Sequence, residues 1–418
     1  MSRPQSQTLP ALPVGPAIIV PSSDPGANDE SMPPSIFISA GEASGEHYGA
    51  LLISALKERL VASGRSASFY GMGGERMASE GLKCVVRSEE MAVMGLTEVV
   101  AHLPHLYREY GKLKEAIRSH PPSVAVLIDF PEIHFRLAKE LHSLGVPVIF
   151  FVSPQLWAWK KRRIKLVKRF IDKMLVIFPF EEAFYRERGV EAEFVGHPLA
   201  DVPSQSISRG QFADEHGLDP SRTWIGLLPG SRPREIRDHL PTILRAAQEL
   251  SHNLEYLLPL APMLNVAQRE QAKKLVEKHG EGLTINFVDD ARAALFHARA
   301  SIVASGTATV EAALVGNPFV VVYHVSPITY AIAKLMVKVP HVAMVNLIAD
   351  KRVVPELIQS DFKADNIVQE IERLLPDGTP RQSMMQELAR IRIMLGKPSQ
   401  QGAIGRVAEI TLETIQFS

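Results

Sequence analysis

Cysteine is nearly absent from this chain: Cys84 stands alone among 418 residues. One thiol excludes an intramolecular disulfide and a thiolate metal cluster, and it suits a reducing compartment, so a cytoplasmic protein is expected. An excess of charge of one sign is missing too, because 46 Lys and Arg balance 46 Asp and Glu. That balance argues against nucleic acid as a bulk electrostatic partner and confines any basic surface to a local patch. Long apolar runs are also lacking. A membrane-spanning helix needs about 20 consecutive apolar residues, whereas the stretch from Ala11 to Val20 is broken by Pro13, Gly15 and Pro16 and has no basic flank beyond Arg3. It reads as neither signal peptide nor anchor, which leaves peripheral contact as the expected membrane mode. Metal-ligand spacing is absent as well: the adjacent Asp289 and Asp290 read as a helix cap, and no His/Cys pattern supports an ion. Chemistry without metal or cofactor is expected.

What is present is ordinary globular material, 46% hydrophobic and 22% charged, in a chain long enough for two domains. Residues 1–34 are rich in proline among Ser, Gln and Ala, a composition that cannot bury a core, so a disordered tail is expected there. From Ser35 the pattern becomes strand, turn, helix, and it repeats. Continuous apolar runs at Val124–Ile128, Val146–Val152 and Met174–Phe178 read as parallel strands buried on both faces. The alternation breaks around Gly196–Pro198 and residues 203–210, then restarts at Trp224–Leu228 and continues through Leu254–Leu260, Leu283–Val288, Ala300–Ala304 and Phe319–Tyr323. The expected division is an α/β domain over 35–205, a second over 206–400, and a last helix over 401–418 packing back on the first domain. Ligands of open α/β sheets sit beyond the carboxyl ends of strands, which puts the site in the cleft between the two.

The run Ile302-Val-Ala-Ser-Gly-Thr-Ala-Thr-Val-Glu311 is the most informative segment. A strand, the turn Ser305-Gly306-Thr307 and a following helix offer unpaired N–H groups and the positive end of a dipole, which suits a diphosphate; a bare structural turn is the alternative. Glu311 is placed to accept hydrogen bonds from sugar hydroxyls. Leu228-Pro-Gly-Ser-Arg232 supplies a second diphosphate-compatible element through Gly230, Ser231 and the Arg232 guanidinium. In the first half, Gly41-Glu42-Ala43-Ser44-Gly45-Glu46 follows a strand; Ser44 reads as an N-cap, and Glu42 and Glu46 are unexplained by that reading. Gly71-Met-Gly-Gly74 reads as either an acceptor loop or a turn. Asp129 ends a buried strand at the mouth of the cleft, as a general base or as a helix cap, with Glu132 a second candidate. Trp157 and Trp159 precede a basic run, Lys160 to Arg169, which reads as an anionic lipid interface, a phosphate-binding patch or a solvated helix. Met91, Val93, Met94, Leu96 and Val99 form an apolar stretch that reads either as core or as an acyl-chain and membrane contact.

These segments resemble the lipid-A-disaccharide synthases, inverting glycosyltransferases of the GT-B architecture, in which two Rossmann-like domains face across a cleft. The matching residues are Ala40–Gly45, Met91–Leu96, Val152-Ser-Pro-Gln-Leu-Trp-Ala-Trp159, Phe194–Pro198, Leu228–Arg232, Ala304–Ala308 with Glu311, Asn346–Ala349 and Pro355–Gln359, in order along nearly the whole chain after the tail. The resemblance implies condensation of UDP-2,3-diacylglucosamine with 2,3-diacylglucosamine 1-phosphate (lipid X), releasing UDP and forming the lipid A disaccharide at the cytoplasmic face of the inner membrane. It implies Asp129 as general base, Glu42 and Ser44 in the loop facing the acceptor, Arg232 as diphosphate ligand, Glu311 as ribose ligand, and Asn346 and Gln359 as further donor-domain residues. A homodimer is left open. Two departures stand out: Pro131-Glu132-Ile133-His134 replaces the usual Pro-Asp-Phe-Asn, and Gly45-Glu46 replaces Gly-Asp. The competing reading is an epimerase of the same architecture acting on UDP-N-acetylglucosamine, against which the apolar stretch and the two tryptophans argue.

Overall fold

The computed structural model describes residues 33–91, 96–158, 161–203, 207–250, 253–261, 264–327, 329–330, 334, 339–396 and 400–415. Two parallel sheets organise it. The first contains β1 (Ser35–Ala40), β2 (Ser68–Gly73), β3 (Lys83–Arg87), β4 (Val124–Ile128), β5 (Val148–Phe151), β6 (Lys173–Val176) and β7 (Ala192–Phe194), in the spatial order 3-2-1-4-5-6-7. The second contains β8 (Thr223–Leu228), β9 (Leu254–Pro259), β10 (Ile285–Val288), β11 (Ala300–Ala304), β12 (Phe319–Tyr323) and β13 (Glu356–Ile358), in the order 10-9-8-11-12-13. Central strands are apolar end to end because helices cover both faces: all five residues of β4 and all five of β11 are buried.

Each sheet therefore changes winding direction once, between β1 and β4 in the first and between β8 and β11 in the second. A crevice opens beyond the strand ends at such a switch point. The loops leaving these four strands are Gly41–Glu42, Asp129–Phe130, Pro229–Arg232 and Ser305–Gly306, so the fold gathers four separately read segments at two places.

Close packing explains one glycine cluster. Gly71 and Gly73 lie inside β2, and a Cβ on Gly71, whose φ is +148°, would sit 2.1 Å from the Ile38 carbonyl oxygen. The cluster is a strand pressed against β1, not a ligand loop. Glu46, unexplained by capping, accepts from the Arg76 backbone N–H at 2.9 Å just after that strand.

The chain crosses between the sheets twice. After β7 it passes through Val195 to Ser208 to the second unit, and after helix Thr379–Leu395 it returns as helix Gly402–Thr414, which packs on helix Ala43–Ala62. The crossings are bonded to each other: the His197 N–H donates to the Leu395 carbonyl at 3.1 Å and the Ala403 N–H to the Asp201 carboxylate at 2.6 Å. Arg292 grips the first crossing, donating to the carbonyls of Leu199 and Val202, both at 3.2 Å. Among the described residues no helix is long and apolar enough to cross a membrane.

Candidate active site

The loop after β1 starts with a steric constraint. A Cβ on Gly41 would lie 2.3 Å from the Phe130 ring, so only glycine lets the loop after β4 close over it. Glu42, not Ser44, is the N-cap residue of helix Ala43–Ala62; it is extended and makes no side-chain capping bond. The N-cap reading of Ser44 is thus corrected: it occupies the second helical position, and its hydroxyl has no capping duty there. Glu42 is exposed at the mouth of the cleft, with Ser44 half-buried beside it.

Asp129 and Phe130 both adopt left-handed backbone, with φ +52° and +50°. Two consecutive residues with side chains in that region are costly and persist only where the surroundings enforce them. Here the Asp129 N–H donates to the Phe151 carbonyl at 2.9 Å, and Pro131 opens helix Pro131–Ser143 immediately afterwards. The turn lifts the Asp129 carboxyl out of the sheet while keeping it largely shielded. Burial foremost, then the negative charges of Glu42 and Glu132, push it up to about 7, against a smaller downward pull from the Phe130 N–H. A carboxylate so poised accepts a proton near neutral pH, which a simple helix cap does not require. Tyr48, buried below, has its phenol held above the ordinary range by burial and by the carboxylates of Glu311 and Asp129, so its hydroxyl stays protonated.

The two loops of the second sheet differ from each other. At Pro229–Arg232, Glu235 of helix Pro233–Glu249 turns its carboxylate back onto the N–H groups of Ser231 and Arg232, at 3.1 and 3.3 Å. In the turn expected to suit a diphosphate through Gly230 and Ser231, the N–H groups of Ser231 and Arg232 are therefore already capped, and the Arg232 guanidinium, 3.8 Å from Glu235, is the group of this loop left facing outward, 58% exposed. Its Nη2 lies 3.9 Å from Glu42 across the cleft. At Ser305–Thr307 the opposite holds. Gly306 (φ +152°) is the N-cap of helix Thr307–Val315 and no side chain caps it; the Thr309 N–H donates to the Gly306 carbonyl at 3.1 Å, which leaves those of Thr307 and Ala308 at the helix end. An uncapped helix end of this kind suits an anion. Glu311, half-buried one turn further in, is raised above its usual range by burial, partly countered by Arg292.

Asn346 and Gln359 have other occupations. Asn346 is fully buried; its amide donates to the Val354 carbonyl at 3.0 Å and to Glu356 at 2.8 Å, and its oxygen accepts from the N–H groups of Val353 and Val354 at 2.7 and 2.9 Å. All its hydrogen-bonding capacity is used inside the domain, so direct ligation of a donor is corrected to support of the segment before β13. Gln359 accepts from the Val325 N–H at 2.7 Å and donates to the Val325 carbonyl at 2.9 Å, and so fixes the loop after β12. Sequence reading missed His239, which joins the same floor by bonding the Pro229 carbonyl at 2.7 Å through Nδ1 and accepting from the His324 N–H at 3.0 Å through Nε2. It also missed Glu235, because a capping box is signalled by Ser or Thr at the N-cap and Arg232 stands there instead.

The apolar set divides. Met91 is 2% exposed within the core of the first sheet, and Trp157 is buried with its indole N–H on Glu181 at 3.1 Å and its ring against Phe180. Neither reaches a surface, so both are corrected from membrane contacts to packing residues. Val93, Met94 and Trp159 lie outside the described residues, as do the side chains of Leu96 and Val99. Arg162, Lys165, Lys168 and Arg169 of the basic run are exposed. Asp290 caps helix Ala291–His297 by accepting from Arg292 and Ala293, as the cap reading expected.

This pair of facing parallel sheets defines the GT-B class of nucleotide-sugar enzymes. The fold overlays on the S. aureus MnaA–UDP complex with TM-score 0.59 at 14% identity, covering 91% of this chain and 98% of the other, and on CalG4, the calicheamicin glycosyltransferase, with TM-score 0.55 at 16% identity, covering 92% and 98%. Epimerases and glycosyltransferases share this fold, so the overlay does not separate them. Sequence does: the chain belongs to the lipid-A-disaccharide synthetase family, whose profile matches residues 36–409. It is 56% identical over 395 residues to the lipid-A-disaccharide synthase of Acidobacterium capsulatum, covering 92% of this chain and 98% of that one. The synthases of Koribacter versatilis (49% identity; 85% and 92% covered) and Myxococcus xanthus (42%; 92% and 98%) are similarly related. Membership makes the chain a glycosyltransferase, and the epimerase reading is not favoured.

Proposed function

We propose that this chain condenses UDP-2,3-diacylglucosamine with 2,3-diacylglucosamine 1-phosphate, giving lipid A disaccharide 1-phosphate and UDP with inversion at the transferred sugar. The observation that carries the reading is the division of labour across the cleft. A shielded carboxylate, Asp129, lies on one switch point, while an uncapped helix and an outward guanidinium lie on the other. Asp129 takes the proton of the acceptor hydroxyl as its oxygen attacks the anomeric carbon. The bond to the UDP oxygen breaks on the opposite face, and the departing diphosphate receives the N–H groups after Gly306 and the Arg232 charge. Glu311 accepts from the ribose hydroxyls. Glu42 and Ser44 border the acceptor side. Mass spectrometry of the product from the two acylated substrates tests this: one disaccharide 1-phosphate species is expected, and isomerised UDP-sugar in the absence of acceptor would overturn it.

Acylated substrates place the work at a membrane, and we propose peripheral attachment to the cytoplasmic face of the inner membrane. Support comes from the exposed Arg162, Lys165, Lys168 and Arg169, cations of the kind that add about 1 kcal/mol each near an anionic surface. Residues Val93, Met94, Leu96, Val99 and Trp159 complete the proposed contact. Cosedimentation with vesicles containing anionic lipid should fall when those four cations are replaced by Gln; unchanged cosedimentation rejects this patch.

A further inference from the structure

His134 is entirely buried and bonded at both ring nitrogens. Nδ1 lies 2.5 Å from the Asp129 carbonyl oxygen, and Nε2 lies 2.9 Å from the Ser39 hydroxyl on β1. A carbonyl only accepts, so Nδ1 carries the hydrogen; Nε2 is then an acceptor and Ser39 donates to it. The ring is also held edge-on by Phe130 and Phe150, with centroids 5.8 and 6.1 Å away. The carbonyl it holds belongs to the first of the two left-handed residues, the one whose side chain is the proposed base. With the Asp129 N–H held by the Phe151 carbonyl at 2.9 Å, this bond pins the peptide units on both sides of the Cα that carries the carboxyl group.

We infer that His134 is a positioning residue for Asp129, bracing the strained turn through the Asp129 carbonyl and referring it to the centre of the sheet through Ser39. The inference rests on the proposal that Asp129 is the base. It explains why an imidazole stands where an amide is usual: Nδ1 of histidine and the amide nitrogen of asparagine occupy similar positions relative to the backbone, so either donates to the same carbonyl. The imidazole adds the second anchor at Nε2.

The same geometry supplies the test, because asparagine mimics Nδ1 and glutamine mimics Nε2. H134N keeps the Asp129 bond and loses the Ser39 bond; H134Q does the reverse. Steady-state kinetics should give H134N a kcat within about threefold of the parent, and H134Q a kcat lower by about tenfold or more with both KM values within about twofold. UDP affinity, which belongs to the other domain, should be unchanged in both. Equal kcat for the two variants, the reverse order, or a loss of UDP affinity matching the loss of turnover would overturn the inference. Should H134Q not fold, H134M takes its place, similar in length and with no donor for the Asp129 carbonyl: a kcat lower by about tenfold or more with both KM values within about twofold supports the inference, and a kcat within about threefold of the parent rejects it. D129N is run alongside. Near-normal turnover there rejects the base itself, whereas an inactive D129N with a fully active H134Q rejects only the brace.

Discussion

Glu42 Oε2 and Arg232 Nη2 lie 3.9 Å apart, so an ion pair joins the loop after β1 to the loop after β8 across the cleft. A diphosphate bound to Arg232 as proposed would compete with that carboxylate for the same guanidinium.

Removing the competitor should therefore help the donor. The pair is roughly half-exposed and screened, so it contributes at most about 1 kcal/mol, and Glu42→Gln is expected to tighten UDP binding by up to about fivefold. Calorimetry at fixed ionic strength measures it; weaker binding would mean that Glu42 itself touches the donor. Arg232→Ala should lower kcat by about 100-fold or more if the guanidinium meets the leaving group, as loss of a preorganised charge-stabilising donor does elsewhere.

The pH dependence of kcat/KM should carry an acid limb near 7. Asp129 must be ionised to accept a proton, and it is pushed up to about 7. Glu42→Gln removes one of the two carboxylate charges that raise it, so the limb should move to lower pH; an unmoved limb would indicate another base. The sign for stability is the reverse of that for activity. Between about 4 and 7 the folded chain keeps a proton that the unfolded chain releases, so this group's contribution falls as pH rises through that window. Asp129→Asn, which also tolerates left-handed backbone, should then be inactive yet more stable by about 1–3 kcal/mol at pH 8.

Glu181 should give a second alkaline signature. It is 1% exposed, burial pushes it up to about 8, and it holds the indole of Trp157. Unfolding lets it ionise at its ordinary pKa, so stability should fall from about pH 4.5 to 8 and then level off. Glu181→Gln should flatten that fall in denaturant titrations followed by tryptophan emission. An unchanged slope would place the pH sensitivity elsewhere.

Asn346→Ala should act on stability before chemistry. It leaves two N–H groups, a carbonyl and Glu356 short of a partner, at a cost of about 2–4 kcal/mol. Thermal unfolding measures it. A variant with normal stability but lost UDP affinity would restore Asn346 as a donor ligand.

Sequence was most informative where one residue pattern has one physical solution. The runs Val124–Ile128, Ala300–Ala304 and Phe319–Tyr323 coincide with strands because both faces of a central parallel strand are covered. The edge strands β3, β7 and β13 escaped notice: they are three to five residues long and carry Lys83, Glu193 or Glu356 where an apolar run would be the signal. The site loops were legible because each ends a strand. Their internal wiring was not. Nothing in the residue types announces φ near +50° at Asp129 and Phe130, and bonds such as His134 to Ser39, 95 residues apart, arise only from the fold. Ser44 was misjudged by two residues because Glu42 ends the extended segment before the helix.

The two crossings between the sheets, tied through His197 to Leu395 and Asp201 to Ala403, give the molecule a piano hinge instead of a tether. A single linker would let the halves drift and twist in any direction; two strands of chain fastened side by side leave one rotation. Any displacement of the halves other than a turn about that joint would have to break one of the two bonds, and the 3.9 Å approach of Arg232 to Glu42 across the cleft depends on that joint.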